Sequence, residues 1–245
     1  MKKLSVLAPL KIVNQKDYNS FLRCLESYIG IIKLEDTELL IINESNPSYK
    51  EKVEQQISKI KSNYRIIEAK GFVPSVRKLI SESVGDYIIF FLDDVEIIGD
   101  SEKIYESCVQ AMDMEEKIFQ IKFGGGKVSH TTKNQNIEKY SKTHKELKIN
   151  QNFSIWLNPS IEEYKNNNYV ITHWNCITRG KDLRTFNSKL NKNPNTWDEL
   201  TLVMSSSFKK DISGLYTGWL NLQSFLYAWG RNKKSYQDYK KYVYL

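Results

Sequence analysis

Histidine and cysteine are scarce in this chain, with three of each among 245 residues. The cysteines (Cys24, Cys108, Cys176) are odd in number, widely spaced and without a C-x-x-C pair. That argues against a disulfide framework and makes the reducing cytosol the expected compartment. The histidines (His130, His144, His173) form no H-x-x-x-H or H-E-x-x-H pattern, which argues against a zinc site. Five prolines and eleven glycines are too few for a collagen-like or low-complexity chain, and fifteen tyrosines with ten phenylalanines too many for a disordered one. No segment reaches the roughly 18 apolar residues of a bilayer-crossing helix. The opening MKKLSVLAPL imitates a secretory leader. However, its apolar run from Leu4 to Leu10 is broken by Pro9, closed by Lys11 and followed by no small-residue cleavage site, so it reads as a buried first strand. The expectation is a soluble, cytoplasmic chain, at most peripheral at the inner face of a membrane. Neither G-x-G-x-x-G after that strand nor G-x-x-x-x-G-K-[ST] occurs, which removes the main support for a dinucleotide or P-loop site.

What the sequence does have is enough apolar material, 40% of its residues, for one large core. It also has an uneven charge. The first hundred residues carry 14 Lys and Arg against 15 Asp and Glu, leaving 22 against 14 for residues 101–245. The last fifteen, RNKKSYQDYKKYVYL, combine five cations with four tyrosines. Two readings of this tail stand side by side: contact with an anionic membrane or nucleic acid, or a solvated helix with its tyrosines packed inward.

The first hundred residues alternate in pattern. Short, mainly apolar runs (Leu4–Ala8, Glu38–Ile42, Tyr64–Ile67 and YIIFFL from Tyr87) are separated by segments with apolar residues at helical spacing: Phe21, Leu22, Leu25, Ile29; Val53, Ile57, Ile60; Val76, Leu79, Ile80, Val84. Such alternation predicts a parallel sheet covered on both faces. Ligands bind such a sheet beyond the carboxyl ends of its strands. Those ends are Ala8-Pro9, Asn43-Glu44-Ser45 and Asp93-Asp94. Adjacent carboxylates after the most apolar run raise each other's pKa unless a cation or hydrogen-bond donors compensate them. A hard divalent ion, Mg²⁺ or Mn²⁺, is one compensation, and a role as cap of a following helix is the other reading of the pair.

Read in order, SVLAP (Ser5–Pro9), RCLESYI (Arg23–Ile29), LLIINES (Leu39–Ser45), GFVPSVRK (Gly71–Lys78) and SVGDYIIFFLDD (Ser83–Asp94) resemble the family 2 glycosyltransferases. The matching family motifs are S-V-I-I-P, C-L-E-S, D-D-x-S, G-x-x-x-A-R-N and A-x-G-D-Y-I-x-F-L-D-D. That resemblance implies a GT-A fold: an α/β, Rossmann-like, mixed and mainly parallel sheet flanked by helices, here with a C-terminal helical extension. It also implies an inverting, metal-dependent transfer of a sugar from a nucleotide diphosphate, most naturally UDP, to a hydroxyl of a glycan or lipid-linked glycan. By the same resemblance Ala8 and Pro9 lie against the nucleoside, Glu44 accepts a hydrogen bond from the base, Arg77 approaches the base or diphosphate, and Asp93 faces the ribose. Asp94 binds Mn²⁺ or Mg²⁺, with Glu96 beside it if the two form the family's D-x-D. The chain departs from the pattern at Asn43 and Lys78, which stand where the family has Asp and Asn.

In the second half, Lys103 to Met114 predicts a helix and Ile118–Phe123 a strand. Gly124-Gly125-Gly126 follows, either a loop turn or a place for backbone to approach a ligand. Polysaccharide-type members of the family carry W-N-x-x-x-R-x-x-x-L and then E-D-L, matched here by Trp174, Asn175, Arg179 and Leu183 and by Asp198-Glu199-Leu200 with the acids swapped. An inverting displacement needs one carboxylate to take the acceptor's proton. The resemblance gives that role to Asp198 or Glu199; acids at a helix N-terminus are the plainer reading. His173 and Trp174 are candidates for the acceptor pocket, while Trp156, Trp219 and Trp229 read as core. The expected organisation is a nucleotide-sugar half (1–100), an acceptor half of the same domain (101–215) and an aromatic, basic helical tail (216–245). Two alternatives remain: a nucleotidyltransferase, and a non-catalytic nucleic-acid-binding scaffold on a degenerate GT-A fold.

Overall fold

Five short strands come from the first hundred residues: β1 (Leu4–Leu10), β2 (Thr37–Asn43), β3 (Arg65–Ile66), β4 (Tyr87–Phe90) and β5 (Val95–Ile97). The computed structural model describes residues 3–97, 99–123, 146–147, 149, 153–157, 176–190, 194, 200, 211, 214–220 and 225–227. The later strands are β6 (Ile118–Lys122), β7 (Glu146–Leu147), β8 (Phe153–Leu157), β9 (Cys176–Arg179), β10 (Tyr216–Leu220) and β11 (Phe225–Tyr227). The helices are α1 (Gln15–Ser27), α2 (Ile29–Ile32), α3 (Pro47–Ile60), α4 (Phe72–Glu82), α5 (Ser101–Met114) and α6 (Gly180–Lys189). Their starts follow local chemistry. The Asn14 side chain accepts from the Asp17 N–H at 3.0 Å and Asp100 from that of Lys103 at 3.2 Å, Pro47 opens α3, and Gly71 precedes α4 at φ 90°.

The main sheet has the order β3-β2-β1-β4-β9-β6-β10-β8-β7. Strands β8 and β9 run against all the others in it, so the sheet is mixed and mainly parallel. Successive residues of β1, β2 and β4 point to opposite faces. One face (Val6, Ala8, Leu39, Ile41, Ile89) packs against α1, α2, α3 and α5. The other (Leu7, Leu40, Ile88, Phe90) packs against α4 and α6. The cysteines are free and buried. Among the described residues no helix is long and apolar enough to cross a membrane.

The predicted helical tail is corrected in part. Residues 216–220 form β10, set between β6 and β8, and residues 225–227 form β11, antiparallel to β5. Pairing on both sides, with β6 and with β8, makes residues 216–220 a strand. The boundary expected at residue 215 therefore does not separate these strands from the preceding unit. Trp229 and the basic, tyrosine-rich end lie outside the described residues.

The amino ends of β1 and β4 are knitted by polar groups. Ser5 Oγ accepts from the Gly85 N–H at 2.8 Å and donates to Glu38, which also accepts from the Val84 N–H at 2.7 Å. Directly beside them the Gly180 N–H donates to the Asp86 carbonyl at 2.7 Å, where β9 turns into α6. A Cβ on Gly180 would stand 2.2 Å from the Gly85 carbonyl oxygen. Gly180→Ala is therefore expected to cost about 2 kcal/mol or more, as overpacking against backbone does. The measurement is denaturant unfolding, and a change under 0.5 kcal/mol, of the order of a neutral surface substitution, would contradict this account of the crossing.

Candidate functional site

The carboxyl ends of β1, β2 and β4 meet on one edge. Leu7 is level with Leu40 and Phe90, and Leu10 with Asn43. Three residues beyond Phe90 is Asp93, and one beyond Asn43 is Glu44, so these acids flank the end of β1. The edge is tied by backbone. The Glu44 N–H donates to the Leu10 carbonyl and that of Asn46 to the Ile12 carbonyl, both at 2.9 Å, and the Ile12 N–H donates to Ser45 Oγ at 2.9 Å.

Asp93 and Asp94 are half-buried in the turn between β4 and β5. Among the described residues neither is in an ion pair. Burial first, then the charge of Asp94 and more weakly that of Asp17, push the Asp93 carboxyl up to about 7. Burial raises Asp94 as well. The pair does not cap α5, since Asp100 does that, so the capping reading fails. The donor set fits a hard divalent ion: two adjacent carboxylates, with further positions left for water and substrate phosphate, is how Mg²⁺ is commonly held. Among the described residues no cluster of three or more His, Cys, Asp or Glu side chains forms a ready-made cage.

Other expected site residues have different surroundings. Glu96 accepts from Arg23 Nε at 2.9 Å and, as a residue of β5, lies level with Leu226 of β11. Glu44 Oε2 accepts from the Gly71 N–H at 3.0 Å and Oε1 from Ser75 Oγ at 2.6 Å, anchoring the first turn of α4. Arg77 donates to Asn187 Oδ1 and the Asn187 carbonyl, both at 3.3 Å, and to the Leu190 carbonyl at 3.0 Å, gripping the end of α6; Asn187 Nδ2 donates back to the Arg77 carbonyl at 3.0 Å. Ala8 is enclosed in the core with 0% exposure, so its side chain offers a ligand no surface. Pro9 is buried too. A cavity of about 460 Å³ runs along the seam of α4 and α6, lined by Val73, Pro74, Arg77, Lys78 and Asn187 among others; neither Asp93 nor Asp94 lines it.

Arg179, matched to the family motif, binds the end of α5. It donates to the Ile118 carbonyl at 2.7 Å, to that of Glu115 at 3.1 Å and to that of Met112, with its guanidinium 5.9 Å from the Tyr87 ring centre. His173, Trp174, Asp198 and Glu199 lie outside the described residues. Leu200, directly after the acids, is buried at 0% exposure in the core beneath α4 and α6. Lys122, at the end of β6 on the same edge, is a charged residue the sequence reading passed over; its only signal is a lysine closing an apolar run.

No family model and no curated protein matches the chain. Solved structures do. S. aureus TarS 1–349 in complex with UDP-GlcNAc superposes with a TM-score of 0.56 at 12% identity, covering 91% of this chain and 57% of that one. The mannosyltransferase PcManGT from Pyrobaculum calidifontis, in complex with GDP-Man and Mn²⁺, gives 0.57 at 10% identity over 98% and 60%. Glucosyl-3-phosphoglycerate synthase from Mycobacterium tuberculosis, with Mg²⁺ and UDP, gives 0.50 at 11% over 96% and 74%. The chain thus spans about 60% of the length of TarS 1–349 and of PcManGT. The fold that the chain shares with them is the GT-A fold.

Two outcomes follow from the edge. The unfolded chain loses the Asp93 proton near 3.8 while the folded chain keeps it to about 7, so this residue's contribution to stability is intact below pH 4 and is lost between pH 4 and 7. Without divalent ions, Asp93→Asn should match the parent's midpoint at pH 4 and exceed it at pH 8; equal midpoints throughout would show the charge to be compensated. Glu44→Ala leaves the Gly71 N–H and Ser75 hydroxyl without their acceptor and should cost about 1–2 kcal/mol in denaturant unfolding.

Proposed function

We propose that the chain is an inverting, metal-dependent glycosyltransferase that moves a sugar from a nucleotide-diphosphate donor, most naturally a UDP-sugar, to a hydroxyl of a glycan or lipid-linked acceptor. The observation that carries this reading is the Asp93–Asp94 pair: carboxylates without a basic partner among the described residues, on the ligand edge of a GT-A sheet. Two of the similar structures hold UDP-GlcNAc or UDP, and two hold Mn²⁺ or Mg²⁺, which supports the donor class and the metal.

In this reading Asp94, with Asp93 beside it, holds Mn²⁺ or Mg²⁺, which when bound offsets the charge developing on the leaving diphosphate. Asp93 also faces the ribose, and the end of β1 at Pro9 abuts the nucleoside. Glu44 and Arg77 act through the helices they fix. Glu44 sets the first turn of α4 beside the nucleoside, and Arg77 holds the end of α6 against it. The acceptor hydroxyl attacks the anomeric carbon from the side opposite the diphosphate, and Asp198 or Glu199 takes its proton. His173 and Trp174 shape the acceptor pocket. The basic second half suits an anionic acceptor or an anionic membrane surface, and the protein works at the cytoplasmic side.

The test is thermal unfolding with UDP, GDP, CDP or ADP, each with and without Mn²⁺. At a hundredfold excess over its dissociation constant a ligand specific for the native state adds about 2.7 kcal/mol, a rise of several degrees for a chain of this size. One nucleotide should raise the midpoint only with Mn²⁺, and Asp94→Ala should abolish the rise. No rise with any nucleotide would remove the donor site and favour the scaffold alternative.

A further inference from the structure

RCLESYI (Arg23–Ile29), one of the five segments that resemble the family 2 glycosyltransferases, supplies no residue to the nucleotide, metal or acceptor roles. It forms the end of α1 and the residues just beyond. Its side chains reach the stretch from the end of β4 through β5, which carries Asp93 and Asp94. Tyr28 Oη donates to the Phe90 carbonyl at 3.3 Å, Cys24 Sγ to the Asp93 carbonyl at 3.3 Å and Arg23 Nε to Glu96 Oε1 at 2.9 Å. Ser27 Oγ accepts from the Ile97 N–H at 3.0 Å and donates to the Cys24 carbonyl at 2.7 Å. The Phe91 ring packs against those of Tyr28 and Phe21, with centres 5.0 Å and 6.0 Å apart.

Helical spacing brings these contacts together. Phe21, Cys24 and Tyr28 stand at i, i+3 and i+7, with Arg23 and Ser27 at i and i+4 beside them, so one side of α1 meets residues 90–97. That stretch is held before the acids at Phe90 and Phe91, at them through the Asp93 carbonyl, and after them at Glu96 and Ile97. None of these bonds is made to a carboxylate of the acid pair, so the grip fixes the turn without consuming its ligand oxygens. Two adjacent carboxylates drawn partly out of water repel each other, and the turn that bears them regains hydration by opening. Re-forming it around a cation would then cost ordering at every binding event, a cost that a turn held in advance avoids.

We propose that Arg23, Cys24, Ser27 and Tyr28 are positioning residues for the divalent ion: they hold the acid turn in the shape that binds Mn²⁺ or Mg²⁺ and so set the affinity of Asp93 and Asp94 for it. The inference deepens the reading of that pair as metal ligands and rests on it. Each of the four acts through the turn, as the outer partners of metal ligands do. At Arg23 charge and position predict opposite signs. A cation near a metal site opposes the metal, so by charge alone its removal tightens Mn²⁺ binding; as part of the clamp, its removal weakens it.

Isothermal titration with Mn²⁺, alone and with UDP present, compares the parent with Arg23→Gln, Arg23→Lys, Ser27→Ala, Asp94→Ala and a control, Ser58→Ala. The control removes a hydroxyl that bonds back to its own helix, to the Gln55 carbonyl at 2.9 Å in α3, without touching the turn. Arg23→Gln and Ser27→Ala should each weaken Mn²⁺ binding, and together about tenfold or more. Arg23→Lys should recover part of the loss, and Ser58→Ala should match the parent. Hydrogen exchange of residues 90–97 should quicken in Arg23→Gln and Ser27→Ala, while that of β6 keeps the parent's rate. A merely structural contact would lower the unfolding midpoint and leave Mn²⁺ affinity where it was. Mn²⁺ binding unchanged or tighter in Arg23→Gln, or unchanged in Ser27→Ala, would overturn the inference. A parent that takes up no Mn²⁺ with or without UDP, or an Asp94→Ala variant that still does, sinks the metal reading instead. Exchange then decides the clamp: quickening confined to residues 90–97 keeps it, and an unchanged rate removes it as well. Arg23 is exposed, so its variants carry the test should Ser27→Ala fail to fold.

Discussion

Strand β9 is the join on which both halves of the sheet depend. It runs against β4 on one side and β6 on the other, and so connects the parallel block β3-β2-β1-β4 to the block that begins at β6. The join is tight at its lower end, where Gly180 passes the Gly85 carbonyl with no room for a side chain. It is held there by Arg179, whose guanidinium gathers carbonyls from the end of α5 and the start of β6. Two of those carbonyls, of Met112 and Glu115, lie at the end of α5, where carbonyls lack a partner within the helix, and the third, of Ile118, opens β6. At its upper end β9 separates the acid pair from Lys122. The distance across the edge is thus set by one intervening strand, which does not stretch.

Much of the first half is legible in the sequence because its signals are local. β1, β2 and β4 are short apolar runs, the helices between them repeat at helical spacing, and the parallel arrangement follows from the alternation. Asp93 and Asp94 are legible as a candidate site because two acids at the end of the most apolar run demand compensation wherever they are placed. The second half is harder. β10 pairs with β6, about a hundred residues away in the chain, and β11 with β5 at a greater separation; neither partner can be inferred from the segment itself. The aromatics of Tyr216–Tyr227 keep no period of two, Tyr216 and Trp219 being three apart, so the pairing alone makes these segments strands.

Residue roles are less legible than residue positions. Glu44 and Arg77 each direct hydrogen bonds to a helix terminus: Glu44 to the start of α4, Arg77 to the end of α6. A motif records that a charged side chain belongs at a place; it does not say whether the charge faces a ligand or a backbone dipole, since both reward the same residue.

The three cysteines bring a consequence of a different kind. Cys24, Cys108 and Cys176 are enclosed in the folded chain, and burial raises every one of the thiols, Cys176 to about 12. Thiolate, the reactive form, is therefore almost absent at neutral pH while the fold is intact. Cys24 packs on the Asp93 turn, Cys108 sits in α5, and Cys176 begins the joining strand β9. The chain thus carries a silent thiol in each of three structural regions, and the order in which they become reactive to an alkylating reagent would trace the order in which the domain opens.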